Sequence, residues 1–171
     1  KTKIIFEKIK KLGNKYKLTY SGMHALDILR LEKKFLHWGH DITSENNPYE
    51  AGLSFAVNLK KKENFIGREV LEKIKDKSQK KKLELFSLKN NFKPGAPLLL
   101  HDEPIFKNRK IAGYTTSSNY SFCYSKNVCL AYIDSTIENK EDLYLEVEGK
   151  RYSLSYEKNP LHDPLSKLMR S

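Results

Sequence analysis

The first half of the chain carries apolar residues at helical spacing in three segments. In the first of them, apolar side chains recur every three or four positions, lysines occupy the opposite face, and Gly13 follows as a stop signal. The predicted helices cover residues 4–12, 23–34 and 67–77. We expect Ser21 to cap the second helix. Residues 53–59 alternate between apolar and polar, which predicts a strand.

The hydrophobic period changes to two beyond the lysine-rich stretch 78–82. Six short strands are predicted, over 83–88, 96–101, 111–116, 128–133, 143–148 and 151–156. Gly149 marks a hairpin turn between the last two. Six short strands in such a short span are typical of an antiparallel barrel or sandwich. We therefore predict an α+β protein in which an α+β piece, residues 1–79, precedes a small all-β domain, residues 80–171.

Composition narrows the class of protein. A chain of 171 residues with 39% hydrophobic residues can form one compact domain or two small ones. No apolar run approaches the roughly 18 residues of a membrane-spanning helix. Cys123 and Cys129 are the two cysteines, which argues against a disulfide scaffold or a zinc module. The chain begins at Lys1 without a methionine or a signal peptide, so we expect a piece of a longer, cytoplasmic protein.

The formal net charge of +11 comes from lysine, since only five of the 32 basic residues are arginines. Arginine is the residue that reads bases and forms bidentate bonds with phosphates, so its scarcity disfavours a nucleic-acid partner. We interpret the lysines as a solvated surface. The same positive field would also serve a small polyanionic ligand.

The most unusual stretch is 35–42, in which His37, Trp38, His40 and Asp41 fall within five residues. Two histidines separated by Trp-Gly offer at most half of the ligands of a metal site, so no metal is expected. Proton transfer by a histidine is chemically possible, but the spacing fixes no substrate. Two interpretations stay open. The loop is either a structured one, with Trp38 as an anchor and Asp41 bonded to backbone amides, or it faces a ligand.

Two further charged residues stand in apolar surroundings. Glu50 follows a proline turn and precedes apolar residues, so it is either a half-buried site carboxylate or a turn-capping acid. Arg30 lies between leucines on the second predicted helix. A buried guanidinium needs an acidic partner, and we predict Asp27 or Glu32, in a structural role.

Several motifs in order carry a family resemblance. They are Gly22–Lys33, His37–Thr43, Asn47–Leu53 and Phe65–Glu69, followed by Gly113–Ser117, Ala131–Ile133 and Asn159–Pro164. Together they resemble the aminomethyltransferase family, typified by the T-protein of the glycine cleavage system. Leu26 stands where the glycine-cleavage branch has a folate-contacting arginine. The resemblance is therefore closer to the folate-binding half of dimethylglycine and sarcosine dehydrogenases.

The resemblance implies the C-terminal part of a folate-binding α+β domain followed by a small antiparallel β-barrel. It implies tetrahydrofolate as the acceptor of a one-carbon unit from an aminomethyl or N-methyl amine. In the dehydrogenase branch, an upstream domain with FAD oxidises the amine first. The family's catalytic aspartate precedes Lys1, so we assign no catalytic residue here and expect the chain alone to be inactive.

The resemblance also gives the loop a place in the folate cleft. We expect Trp38 and Glu50 to shape that cleft, with His37, His40 and Asp41 as further polar contributors. The expected partners are tetrahydrofolate, a small amine and the upstream catalytic or flavin domain, without nucleic acid or membrane. The alternatives are a non-catalytic docking domain and, less favoured, a basic nucleic-acid-binding module.

Overall fold

The computed structural model describes residues 1–90, 99, 101–168 and 170. Its helices are α1 (Thr2–Gly13), α2 (Met23–Glu32) and α3 (Arg68–Ile74). Its strands are β1 (Lys81–Leu88), β2 (Pro104–Lys107), β3 (Lys110–Ser121), β4 (Lys126–Asp134), β5 (Tyr144–Val147) and β6 (Lys150–Glu157). Short 3-10 turns cover Asn14–Tyr16 and Ser54–Ala56.

The strands close into an antiparallel barrel in the order β1-β4-β3-β2-β5-β6. Closure pairs every strand with two neighbours, so the barrel has no free edge. The hairpin between β5 and β6 turns through Glu148 and Gly149, whose φ angles are 47° and 72°. Positive φ at both central residues is what a two-residue hairpin turn needs, and Gly149 adopts it without steric cost.

Strand β4 is buried on both faces. Its Cys129, Ala131 and Ile133 belong to the barrel interior, whereas the alternating residues face outward and pack against α2. That outer cluster comprises Leu31, Leu83, Leu85, Val128, Leu130 and Tyr132. Since side chains alternate between the faces of a strand, one strand serves two apolar cores. This double burial fixes where α2 lies on the barrel.

The structure confirms the α+β class, the barrel and five of the predicted strand positions. The predicted strand over 96–101 includes 96–98 and 100, which lie outside the described residues, and the strand Pro104–Lys107 was missed. The strand predicted over 53–59 is wrong, because its amides bond locally: Leu53 N donates to the Pro48 carbonyl at 2.8 Å. Ser21 is not the cap of α2, whose N-cap is Gly22. The boundary between residues 79 and 80 stays a prediction.

The part of the chain before β1, residues 1–80, contains α1, α2 and α3, and we call it the helical segment. It exposes many of its apolar side chains. On α1 the exposed side chains are those of Ile4, Ile5, Phe6, Ile9 and Leu12, each 48–66% exposed. On α2 they are those of Met23, Leu26 and Leu29, each 53–64% exposed. We call these eight residues the apolar helix face. Within the described ranges, no helix is long and apolar enough to cross a membrane.

Candidate functional site

A fully buried carboxylate ties the helical segment to the barrel. Asp41 is 0% exposed and accepts three hydrogen bonds. Its Oδ2 accepts from Nη1 of Arg30 at 2.5 Å and from the backbone N of His37 at 2.8 Å. Its Oδ1 accepts from the hydroxyl of Thr116 at 2.6 Å. A buried charge is tolerated when it is paired and fully hydrogen-bonded, as it is here. Asp41 therefore joins α2, the loop and β3.

A bulge in β3 makes this junction possible. The pairing of β3 with β4 shifts register between Thr115 and Ser117, which leaves Thr116 as the extra residue. Adjacent residues in a regular strand point to opposite faces, and a bulge breaks that alternation. Thr116 reaches Asp41, and the next residue, Ser117, accepts from Nη2 of Arg30 at 2.8 Å. The consecutive residues Thr116 and Ser117 thus each bond to one member of the Arg30–Asp41 ion pair.

Arg30 pairs with an acidic residue, as predicted, but its main partner is Asp41 and not Asp27 or Glu32. Asp27 is a secondary contact, with Oδ1 at 3.4 Å from Nε of Arg30. Glu32 does not pair with Arg30, because the helix turns it toward the end of β3. There its Oε1 accepts from the hydroxyl of Ser121 at 2.6 Å and from the backbone N of Cys123 at 3.3 Å. The Asp41 bond to a backbone amide, expected of a structured loop, is present.

The closing motif of the chain docks on the end of α2. Nζ of Lys33 donates to the Asp163 carbonyl at 2.6 Å and lies 3.0 Å from its carboxylate. The backbone N of His162 donates to the Glu32 carbonyl at 3.2 Å. Hydrogen bonds to Lys33 and to two backbone amides hold the pKa of Asp163 below its usual value, against the opposing effect of desolvation. The motifs at 22–33 and 159–164 are therefore parts of one contact.

A cavity of about 270 Å³ opens beside the Arg30–Asp41 pair. Its walls come from α2, the loop and strands β3 and β4. The imidazole and charged side chains that line it are those of His24, Asp27, Arg30, His37, His40 and His101. The ring centroids of His37 and His40 lie 4.6 Å apart, and those of His40 and His101 lie 6.2 Å apart. Three imidazoles thus form a row along the wall.

The imidazole row does not make a metal site. Among residues 1–90, 99, 101–168 and 170, no group of three or more His, Cys, Asp or Glu side chains could hold an ion. His37 also lies near a carboxylate, with its Nδ1 3.9 Å from Oδ1 of Asp27. The row can donate and accept hydrogen bonds. Hydrogen bonding to a polar ligand is the chemistry that it supports.

The five candidate residues divide into two groups. His37 and His40 line the cavity, and Asp41 lies fully buried behind it. Neither Trp38 nor Glu50 is among the described side chains of its wall. Trp38 is 68% exposed, and its backbone pairs with Ile42. Direct contact of these two residues with a ligand in this cavity is therefore not what the structure shows.

Glu50 has a capping geometry. Its Oε2 accepts from the backbone N of Asn47 at 3.4 Å, and Oδ1 of Asn47 accepts from the backbone N of Glu50 at 3.1 Å. This is a reciprocal bond of the capping-box type. The Glu50 carbonyl also accepts from the backbone N of Leu83 at 2.8 Å, which fastens the loop to β1. The contacts favour the turn-capping interpretation.

Sequence reasoning missed three residues of the site. His24, His101 and Ser117 line the cavity, yet they lie outside the segment that drew attention. His24 lay within a quoted motif, and its position one helical turn before Asp27 was the available signal. Ser117 also lay within a quoted motif, but neither it nor His101 had a local signal of this kind, because the contacts that bring them here join residues far apart in the chain.

Two family models match the chain. The GCVT N-terminal domain matches residues 1–61, and the glycine cleavage T-protein C-terminal barrel domain matches residues 81–163. The two matches together cover most of the chain and include the motifs of α2, the loop and the barrel. The chain belongs to the aminomethyltransferase family of the glycine cleavage T-protein.

Individual relatives agree with this assignment. The chain is 33% identical over 159 residues to "Dimethylglycine dehydrogenase, mitochondrial" of Homo sapiens, an alignment that covers 92% of this chain and 18% of that one. It is 36% identical over 135 residues to "Pyruvate dehydrogenase phosphatase regulatory subunit, mitochondrial" of Mus musculus, covering 79% of this chain and 15% of that one. The chain therefore spans less than a fifth of either relative.

A solved structure shares the fold. The crystal structure of the glycine cleavage system aminomethyltransferase T from Bartonella henselae superposes with a TM-score of 0.79 at 22% identity. The match covers 91% of this chain and 43% of that one. The barrel and the helical segment thus have the arrangement of the corresponding part of an aminomethyltransferase.

Proposed function

We propose that this chain is part of a tetrahydrofolate-dependent enzyme, which transfers a one-carbon unit from an aminomethyl or N-methyl amine to tetrahydrofolate. The observation that carries the proposal is the cavity beside the Arg30–Asp41 pair. Three of the family motifs meet there: α2, the loop at 37–43 and the β3 segment at 113–117. Similarity to a dimethylglycine dehydrogenase supports an N-methyl amine as the donor.

The residues present fit one wall of a folate site. Folate has a flat pteridine and an anionic tail, and its site needs hydrogen-bonding groups and positive charge. The imidazoles of His37 and His40 offer hydrogen-bonding groups, and the chain's net charge of +11 offers a positive field. A cavity of about 270 Å³ is smaller than most ligand pockets, which span about 300–1,000 Å³. This chain therefore contributes part of the cleft.

The apolar helix face supports a longer protein. Its eight side chains are each about half exposed or more, and this number of exposed apolar side chains on two helices supports a contact with a further part of the protein. We propose that the preceding part of the folate-binding domain packs against it and contributes the catalytic acid. A flavin domain that oxidises the amine would lie further upstream, as the dehydrogenase relatives suggest.

Roles for the candidate residues follow from their positions. His37 and His40 would bond polar groups of the ligand directly. Trp38, exposed at the same loop, would form an outer wall of the cleft when the preceding part of the domain is in place. Asp41 and Glu50 would be positioning residues, the first for the Arg30 contact and the second for the loop as a whole.

The test uses the longer protein that contains this chain. Tetrahydrofolate binding is measured by fluorescence titration for the parent protein and for His37→Gln, Trp38→Ala and Glu50→Gln. Loss of a ligand contact should weaken binding by about 1–3 kcal/mol for His37→Gln. His162→Gln, at the far end of α2, is the matched control and should bind folate normally.

Activity is the second arm of that test. The 171-residue chain alone should transfer no one-carbon unit, whereas the longer protein should produce methylenetetrahydrofolate from its amine donor. Turnover by the chain alone would contradict the assignment of the catalytic acid to the preceding segment. Unchanged folate affinity in all three variants, with circular dichroism unchanged, would contradict the proposed cleft.

A non-catalytic docking domain is the second candidate function. One observation favours it: the relative from Mus musculus at 36% identity is named a regulatory subunit. In that case the longer protein would keep the fold, bind no folate and turn over no amine. It would instead form a stable complex with a partner protein. The folate titration above distinguishes the two functions, because only the enzyme requires a measurable affinity.

A further inference from the structure

Helix α1 has little support from the rest of the chain. Every one of its residues except Gly13 is exposed, and among the helices and strands it contacts chiefly the 3-10 turn that follows it. The Phe6 ring also stacks on Tyr20, with ring centroids 5.8 Å apart. A helix of 12 residues is marginal in water on its own, because helices in proteins are stabilised mainly by packing. Helix α1 therefore needs a partner.

One side of α1 is apolar. Ile5, Ile9 and Leu12 are spaced by four and three residues, so they share a face, and they are 55–66% exposed. In an amphipathic helix, such a stripe is the part that faces a core. The described residues of this chain do not cover the stripe, so its partner surface lies elsewhere.

Lysines border this stripe on both sides. By helical spacing, Lys8 lies next to Ile5 and Leu12, whereas Lys10 lies next to Phe6 on the opposite side. A lysine can lay its hydrocarbon stem along an apolar surface and keep its ammonium group at the rim. A surface that covers the stripe therefore meets positive charge along both of its edges.

The charge of this region is concentrated and unpaired. Residues 1–17 include seven lysines and one glutamate, so a tenth of the chain carries +6 of its formal net charge of +11. Within the part of the chain that the structure describes, none of these lysines forms an ion pair. By contrast, Arg30, Lys33 and Lys140 each pair with a carboxylate of another segment. Acidic partners for α1 would have to come from outside these residues.

The family comparisons favour a further part of the same domain as that partner. The N-terminal domain model matches residues 1–61 and thus includes α1. The structural match covers 43% of the aminomethyltransferase from Bartonella henselae, so more than half of that protein has no counterpart here. A relative of that length has enough chain to cover α1.

We propose that the preceding part of the folate-binding domain covers α1 with an apolar centre and an acidic rim, whose carboxylates face Lys8 and Lys10. This inference rests on the packing proposed for the apolar helix face and adds the chemistry of the partner surface. Apolar contacts form the core of such an interface, whereas opposite charges at its rim fix orientation and exclude wrong partners. Single rim pairs contribute little, so reversing two lysines is more informative than removing one.

Zero-length cross-linking tests the proposal in the longer protein, without folate. A carbodiimide joins a lysine to a carboxylate only where the two groups are in contact, and mass spectrometry then identifies both residues. We expect links from Lys8 or Lys10 to Asp or Glu of the preceding part. Lys150, in the exposed hairpin of the barrel, is the control and should give no link to that part.

Charge reversal is the second arm of the test. The double variant Lys8→Glu/Lys10→Glu places like charges opposite the acidic rim, so the longer protein should unfold several degrees lower than the parent. The loss should shrink in about 1 M salt, because salt screens exposed charges. Lys126→Glu/Lys150→Glu, at two exposed barrel positions, is the matched control and should show no such loss. In the 171-residue chain alone, both double variants should unfold as the parent does.

The absence of links from both lysines to the preceding part would overturn the proposal. So would a temperature loss that salt does not change. Links between isotopically light and heavy copies would assign α1 to a second copy of the chain, and binding to phosphatidylserine vesicles, lost in Lys8→Glu/Lys10→Glu, would assign it to a membrane. Either result also overturns the proposal. If Leu12→Ala still destabilises the longer protein, the packing stands without its acidic rim. A failure to bind folate would leave these readouts unchanged, so the two proposals fail independently.

Discussion

The barrel and the helical segment differ in how each satisfies its apolar residues. Barrel side chains such as Phe86, Ile105 and Leu145 are 0% exposed, and the barrel closes its own core. Apolar side chains of α1 such as Ile5 and Leu12 are 58% and 66% exposed. The same residue types are therefore buried in one region and exposed in the other. The barrel buries its own apolar side chains, whereas the helical segment leaves many of them on its surface.

Polar contacts as well as apolar ones hold the two regions together. Leu31 is the main apolar contribution of α2 to the barrel, whereas Arg30, Glu32 and Lys33 each reach a polar partner outside the helix. Hydrogen bonds to charged groups depend strongly on geometry, so such a junction fixes orientation. Helix α2 is thereby held in one position, with Met23, Leu26 and Leu29 of the apolar helix face outward.

The largest effect should come from breaking that junction. Arg30→Met removes the partner of Asp41 and leaves a buried carboxylate without its counter-charge. Loss of one member of a buried ion pair costs about 3–5 kcal/mol. We expect the free energy of unfolding, measured in urea, to fall by that amount. Arg151→Met, which removes an exposed contact to Glu146 at 3.3 Å, should change it by less than about 1 kcal/mol. Equal losses would contradict the comparison.

Within the barrel, a close backbone approach should be nearly as sensitive. A Cβ atom at Gly113 would lie 2.0 Å from the Tyr132 carbonyl oxygen, and that backbone has no room to move. Gly113→Ala should therefore destabilise the barrel by about 3 kcal/mol, the upper range for overpacking. Gly22→Ala is the matched control, since its Cβ would meet nothing within 4 Å. It should cost about 1 kcal/mol, because Gly22 is the N-cap of α2 and alanine is a poorer N-cap than glycine. A stable Gly113→Ala would show that β3 and β4 are looser than described.

A pair of leucines tests the comparison directly. Leu145→Ala creates a cavity in the barrel interior at a site with 0% exposure and should cost about 3 kcal/mol. Leu12→Ala, at 66% exposure, should change the free energy of unfolding of this chain by less than about 0.5 kcal/mol. In the longer protein the same Leu12→Ala should become destabilising. If the substitution stays neutral there, the preceding part of the domain does not pack against Leu12.

Much of the fold was accessible from local pattern. The helices at the N-terminus and the strands around Phe86 and Leu130 follow from periodicity, because each repeats its apolar residues at the period of its own structure. The β2 strand was missed since Pro104 opens it and it has only four residues. Residues 53–59 showed a strand-like alternation, but their amides bond within turns, and alternation alone does not report where a backbone finds its partners.

The candidate site was predictable only in part. The loop from His37 to Asp41 stood out by composition, and its Asp41 proved to be buried and fully bonded. The partners Thr116 and Ser117 depend on a bulge, which breaks the strand alternation that sequence reasoning relies on. Contacts between residues more than seventy positions apart, such as Asp41 and Thr116, have no local signature. The family motifs marked both segments without telling which residues touch.

The smallest expected effect reports on the same junction without unfolding the protein. The Glu32 side chain, by its hydrogen bond, and to a lesser degree burial, raise the pKa of the exposed Cys123 thiol above its ordinary value. A higher thiol pKa means less thiolate at a given pH, so alkylation of Cys123 near pH 8 should be slower than in the unfolded chain. Glu32→Gln removes the charge and should lower that pKa, which makes alkylation faster. Cys129 is the internal control: burial raises its pKa to about 12, and it should stay unmodified while the barrel is folded. If Glu32→Gln leaves the Cys123 rate unchanged, with Cys129 still protected, then α2 does not hold Glu32 against the end of β3 in solution.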